Sequence, residues 1–327
     1  MWSDLGIGIT PRPSVLPVRS TRPFLSVGSL EAVDQGGQRN HGSRGTISPI
    51  RSIHAHPSLE PPGGSDHLSP PRIEVQILGT VQLLGAPRPL QRAWTLDLIV
   101  YLAMHPRGIR NDVWATAIWP EFEVAASTVH STVSAARRTM GRGSDGNHLL
   151  RRENGLLQLS PEVRTDWNQF YAMAAAPDPS SWRRALSLVR GRPFEGLRRS
   201  DWTVLEGITA SVEEAVVHLA LQVAEHELGL GGGRQAAAAA RRGLLASPYD
   251  ERLYRILLRA ADQEGNPAGV ESAMAELVCL LGGEAHHREV ARSGVHAERF
   301  VHPATYDLYR ALSRRSRAVP DGGDSRK

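Results

Sequence analysis

The chain has 327 residues, 41% hydrophobic and 22% charged, a length that accommodates two compact domains. Its single cysteine, Cys279, excludes an intrachain disulfide and a cysteine-based zinc site, and suits a reducing compartment. The net charge of +4 is unevenly spread: residues 72–160 hold 10 Arg against 7 acidic residues, whereas 161–327 are balanced and 1–71 carry +1. The electrostatic footing for an anionic partner therefore sits in the middle of the chain.

No run approaches the length of a membrane-spanning helix. The opening MWSDLGIGITPRP has neither the basic start nor the apolar run of a signal peptide. Of residues 1–71, 30 are Pro, Gly or Ser, and the apolar residues among them have no period. Such a segment buries too little surface to offset its ordering entropy, and a disordered tail is expected there.

At Arg72 the pattern changes. Ile73, Val75 and Ile77 alternate with polar residues, and Val81 and Leu83 repeat the alternation after Gly79-Thr80, which predicts an antiparallel hairpin. Trp94, Leu98, Tyr101 and Leu102 then fall at helical spacing, up to the His105-Pro106 break. A second helix is expected over 111–119, capped by Asn111, and a third over 125–140, stopped by Gly141. Asn154-Gly155 between leucine-rich runs predicts a second hairpin within 148–160.

From Asp166 onward the pattern is helical. Asp166 is expected to cap a helix, a long helix follows Asp201, another follows Asp250, and Asn266-Pro267, an N-cap followed by Pro, opens one more. Antiparallel helix pairs separated by Gly or Pro suggest a tetratricopeptide-like array, and 234–263 is its clearest unit. The expected fold is thus mainly α. A disordered tail (1–71) precedes a winged helix-turn-helix domain (72–160), an all-α tetratricopeptide-like domain (161–315) and a second disordered tail (316–327).

In a winged helix-turn-helix the third helix enters the major groove and the final hairpin, the wing, reaches the backbone. At roughly 100° per residue, Val129, Val133, Ala136 and Met140 share one face of the 125–140 helix. Ser127, Ser131, Ser134 and Arg138 lie opposite, flanked by His130 and Arg137. Short hydroxyls permit close approach to a duplex, and Arg137 and Arg138 are long enough for bidentate contact with guanine. Arg142 follows the helix, and Arg151 and Arg152 precede the wing tip, where phosphates would be in reach.

Other features have plainer readings. His286-His287-Arg288-Glu289 lacks the spacing of helical metal ligands and reads as a polar loop. His218, Glu225 and His226 read as solvated positions on an amphipathic helix. The run Gly229–Gly233 lacks the Gly-Lys-Ser/Thr ending of a phosphate loop. Trp167, Trp182 and Trp202 each begin a helix, where packing explains them better than a ligand cage. No catalytic constellation stands out, so no enzyme activity, cofactor or metal is expected.

The segments LIVYLAMHPRG (98–108), IWPE (118–121) and STVSAARRTMG (131–141), with the closing hairpin, resemble the DNA-binding domain of the SARP-type antibiotic-pathway regulators. The later segments SLVRGRPFEG (187–196), ASPYDERLYRILLRA (246–260) and GNPAGVESAMAEL (265–277) resemble the bacterial transcriptional activator domain that follows it in that family. The resemblance covers about 72–315 and implies a cytoplasmic transcription factor that binds double-stranded promoter DNA and contacts RNA polymerase. It further implies a helical domain for self-association, as a homodimer, or effector coupling. Carried over, it places Ser131, Ser134, Arg137 and Arg138 on the recognition helix and Arg151 and Arg152 on the wing. Ala135-Ala136 stands where that family is usually more basic. That departure motivates a second reading, an interaction scaffold whose domains bind protein partners rather than DNA.

Overall fold

The computed structural model describes residues 9–11, 73–198, 201–282 and 297–318. The tails expected to be disordered lie outside these residues except for strand β1 (Ile9–Pro11) and the end of the last helix, and His286–Glu289 lies outside them too. Among the described residues no helix is long and apolar enough to cross a membrane.

The first hairpin forms as expected. β2 (Ile73–Gln76) pairs antiparallel with β3 (Gln82–Leu84), with Val75 opposite Leu83. Alternation puts Ile73, Val75 and Ile77 fully inside. Helix α1 (Ala93–Met104) follows and is buried on almost every side from Leu98 to Ala103, because α2 (Asn111–Ile118), α3 (Ala126–Met140), β2 and the wing all pack around it. Strand β4 (Phe122–Val124) pairs with β1 and leads into α3 (Ala126–Met140). The wing is β5 (Leu150–Glu153) and β6 (Leu156–Leu159), joined through Asn154 at φ 50° and Gly155 at φ 80°. Positive φ at both turn residues matches the twist of the strands, which is what Asn-Gly supplies.

The alternation in 73–77 did not reveal the partner on the other edge of β2. Strand β7 (Val163–Thr165) pairs with it in parallel, Ile73 opposite Val163, and makes a three-stranded sheet ordered β3-β2-β7. Two expected caps also differ. Asn111 is the first residue of α2 rather than its cap, which is Arg110, whose side chain makes no capping bond. The cap of α4 (Asp166–Ala174) is Thr165, whose hydroxyl accepts from the Asn168 amide, and the Asp166 carboxylate turns away to the end of β2.

Helix α5 (Pro179–Ser187) is capped by Asp178 and begins with Pro179, a residue pre-set for the first turn. The long helix expected after Asp201 is two: α6 (Asp201–Leu205) and α7 (Ile208–Gly229). Gly207, at φ 70°, breaks them, since the left-handed conformation ends one helix and redirects the chain. Helices α8 (Gly233–Ala246), α9 (Glu251–Gln263) and α10 (Pro267–Gly282) follow as a stack, α8 on α7, α9 on both of these and α10 on α9. A Cβ at Gly243 of α8 would lie 2.8 Å from Ala220 and Leu253, so its missing side chain lets α7, α8 and α9 approach closely. Asn266 caps α10 through the Gly269 amide, as expected, and Asp250 caps α9 through the amide of Arg252. The last helix, α11 (Pro303–Ala318), runs three residues past the edge expected at 315.

The buried side chains form one contiguous cluster from Ile73 to Leu312. The winged elements and the helical array therefore share a core, which fixes how the third helix is presented.

Candidate nucleic-acid interface

Helix α3 rests on the core through Val129, Val133, Ala136 and Met140, all buried as their spacing demands. Ser127, His130, Ser134 and Arg138 are exposed on the other side, and none of the four side chains has a hydrogen bond or ion pair among the described residues. Ser131 is half-buried and donates to the Thr128 carbonyl at 3.0 Å. The helix thus offers a strip of short side chains ending in one unpaired guanidinium.

The other arginines are committed inside the fold. Arg137 donates through Nε to the Leu150 carbonyl at 3.1 Å and ties α3 to the base of the wing. Arg151 meets Asp145 at 2.6 Å, with Glu162 at 3.9 Å. Arg152 folds across the hairpin, donating to the Gly155 carbonyl at 3.0 Å and to Asn111 Oδ1 at 2.9 Å. The same Asn111 oxygen accepts from Trp114 Nε1 at 3.2 Å, so the residue taken for a cap braces the wing against α2. Arg142 stays exposed and donates to the Gly146 carbonyl at 2.6 Å.

The fold brings in two cations that linear spacing did not mark. Arg88 follows Pro87, whose Cγ would lie 2.9 Å from a Cβ on Gly141 at the end of α3. Arg107 precedes Gly108, which sits against Leu156 and Gln158 of the wing. Both arginines are exposed and unpaired among the described residues. Their signal was the loop packing, which sequence periodicity does not carry.

Two contacts hold this surface to the helical array. The buried Asp166 carboxylate accepts from the amides of Ile77 (2.8 Å) and Leu78 (3.0 Å) and pairs with Arg190 at 2.8 Å. Burial pushes its pKa up, against the pull of those amides and Arg190. On α1, Tyr101 donates to Glu206 at 3.1 Å, and His105 lies 3.0 Å from the other Glu206 oxygen. Trp202 closes that cluster edge-on to Tyr101, with centroids 4.7 Å apart. Burial, with the Glu206 carboxylate beside it, raises the Tyr101 phenol well above its ordinary value. Among the described residues no group of three or more His, Cys, Asp or Glu could hold a metal ion.

The three tryptophans do not converge on a ligand. Trp167 stacks on Phe170, Trp182 donates to the Ala176 carbonyl, and Trp202 belongs to the Tyr101 cluster. Glu225 is exposed, as expected, and pairs with Arg259, whereas His226 is half-buried and packs edge-on to Trp182.

Residues 171–284, from the second half of α4 to just past α10, match the family described as the bacterial transcriptional activator domain. The chain carries a bacterial transcriptional activator domain. That match places the protein among transcription regulators, as the segments 187–196, 246–260 and 265–277 led one to expect. A solved structure of Mycobacterium tuberculosis EmbR, in complex with a low affinity phosphopeptide, is 22% identical. It covers 75% of this chain and 69% of its own, with a TM-score of 0.49. No curated protein matches the sequence. The activator domain begins just after Asp166 and contains both Arg190 and Glu206, so each contact described above joins it to the winged elements.

Proposed function

We propose that the protein regulates transcription from the cytoplasm by binding promoter DNA. The 126–140 helix is laid in the major groove, the wing sits beside it, and the activator domain serves self-association or contact with RNA polymerase. The observation that carries this reading is the exposed strip Ser127, His130, Ser134 and Arg138, opposite a buried face and without partners among the described residues. An unpaired guanidinium at the end of a strip of small side chains suits a guanine edge, with phosphates in reach of the arginines beside it. Duplex fragments selected from genomic DNA, titrated with the full chain and followed by fluorescence anisotropy, test it. Saturable, salt-sensitive binding with sequence preference is expected. No binding at low salt to any duplex, including the chain's own promoter, overturns it.

A second reading, a protein-interaction scaffold, draws on the commitment of Arg137, Arg151 and Arg152 to internal contacts. It requires that Arg138→Ala leave cellular function intact while substitutions on the activator domain abolish it.

A further inference from the structure

A cleft of about 250 Å³ opens between α5, α7 and α8, within the activator domain and apart from the candidate interface. Leu186, Val223 and Ala239 supply its apolar wall, and Gln235 and Arg242 stand on it. Arg183 and Glu227 also line it, but they satisfy each other: the nearly buried carboxylate accepts from Arg183 Nε at 2.6 Å and Nη2 at 2.5 Å. Arg242 is different. It gives one hydrogen bond, Nη1 to the Val189 carbonyl at 3.0 Å, and has no acidic partner among the described residues. The Gln235 side chain has no partner among them either.

A small apolar concavity with a few polar groups is the usual form of a small-molecule site. Here the one uncompensated charge is a guanidinium, whose planar donors match a carboxylate in geometry and sign. The geometry points to a binding site for a small organic carboxylate, its anionic head on Arg242 and Gln235 and its hydrocarbon body on Leu186, Val223 and Ala239. The Arg183–Glu227 pair neutralises the adjoining wall, so the site's net charge is that of Arg242 alone. Val189 immediately precedes Arg190, so the head of the ligand sits one residue from the segment that grips Asp166.

Octanoate, octanol and octylammonium, each titrated calorimetrically into the full chain, test the assignment. Octanoate is expected to bind saturably at one site per chain, at least tenfold tighter than the alcohol or the amine. Arg242→Met is expected to weaken octanoate tenfold or more with an unchanged circular dichroism spectrum. Ala239→Leu, which fills the apolar wall, blocks binding independently of charge. Equal affinity for the three probes, octanoate binding undiminished in Arg242→Met, or uptake that never saturates would each overturn the proposal.

Discussion

The Asp166 carboxylate and the Arg190 guanidinium meet at 2.8 Å where β2, α4 and the 189–196 segment converge. Around this pair the Arg190 amide donates to the Leu78 carbonyl at 2.6 Å and the Phe194 amide to Ile77 at 2.9 Å. The Val81 amide returns a bond to Glu195 at 2.8 Å. The link between hairpin and activator domain is thus a set of backbone bonds beside one buried carboxylate.

Asp166→Ala leaves the Ile77 and Leu78 amides without their acceptor and Arg190 without its counter-charge. Arg190 keeps access to solvent, but a buried amide left without its acceptor costs about 1–3 kcal/mol. Urea unfolding of the variant should show a loss of that order, and Asp166→Asn, which keeps one acceptor oxygen, a smaller one. A loss below about 1 kcal/mol, the worth of one ordinary hydrogen bond, would contradict this account.

Two aspartates should respond to acid with opposite sign. Hydrogen bonds from the Ser180 hydroxyl and from Ser181 lower the Asp178 carboxyl to about 2. Its folded pKa is depressed, so its stabilisation is present above the ordinary aspartate value, about 3.9, and is lost as pH falls towards 2. Burial raises the folded pKa of Asp166, so its proton linkage favours the fold most below the ordinary value and fades as pH rises through the folded one. Carbon-13 carboxyl titrations resolve the two. A midpoint for Asp166 below that of Asp178 would refute the assignment.

Local signals in the sequence were dependable where one residue type answers one backbone demand. Asn154-Gly155 made its turn, Gly141 stopped α3, and Asn266 capped its helix. The buried stripe of α3 was legible for the same reason, since one period decides it. What could not be read was non-local competition for a side chain. Asp166 and Asn111 have the chemistry of caps, but a distant amide pair and a distant arginine claim them. Arg137, Arg151 and Arg152 likewise look available in one dimension and find acceptors only once the wing folds beside α3.

Gly141 can be tested at the end of the candidate recognition helix. It holds φ 74° and ψ −145°, a region side chains avoid, and a Cβ there would lie 2.9 Å from Pro87 Cγ. Backbone strain of this kind costs about 1–3 kcal/mol. Gly141→Ala should lower the unfolding free energy by about that much, or, where the loop yields, displace Arg88 along with Pro87. Unchanged stability together with an unchanged 85–92 loop in an NMR spectrum would show that the contact is not tight.

The salt dependence of DNA binding separates the arginines that are free from those that only look so. Log affinity falls with log salt at about 0.9 per neutralised phosphate on a duplex. If Arg137, Arg138, Arg142, Arg151 and Arg152 all reached phosphates, the slope would be about −4.5. With Arg138 on a guanine edge, the two neighbouring cations that are unpaired among the described residues, Arg88 and Arg107, give about −1.8, the value expected here. Arg88→Ala and Arg107→Ala should each flatten the slope by about 0.9 and weaken all sequences alike. Arg138→Ala should instead cost about 1–3 kcal/mol on the preferred site and relax specificity. Arg151→Ala should leave the slope nearly unchanged, because Asp145 already holds that guanidinium. A steep slope that collapses in Arg151→Ala would mean that DNA pulls the arginine away from Asp145, and the wing would then be a direct phosphate contact.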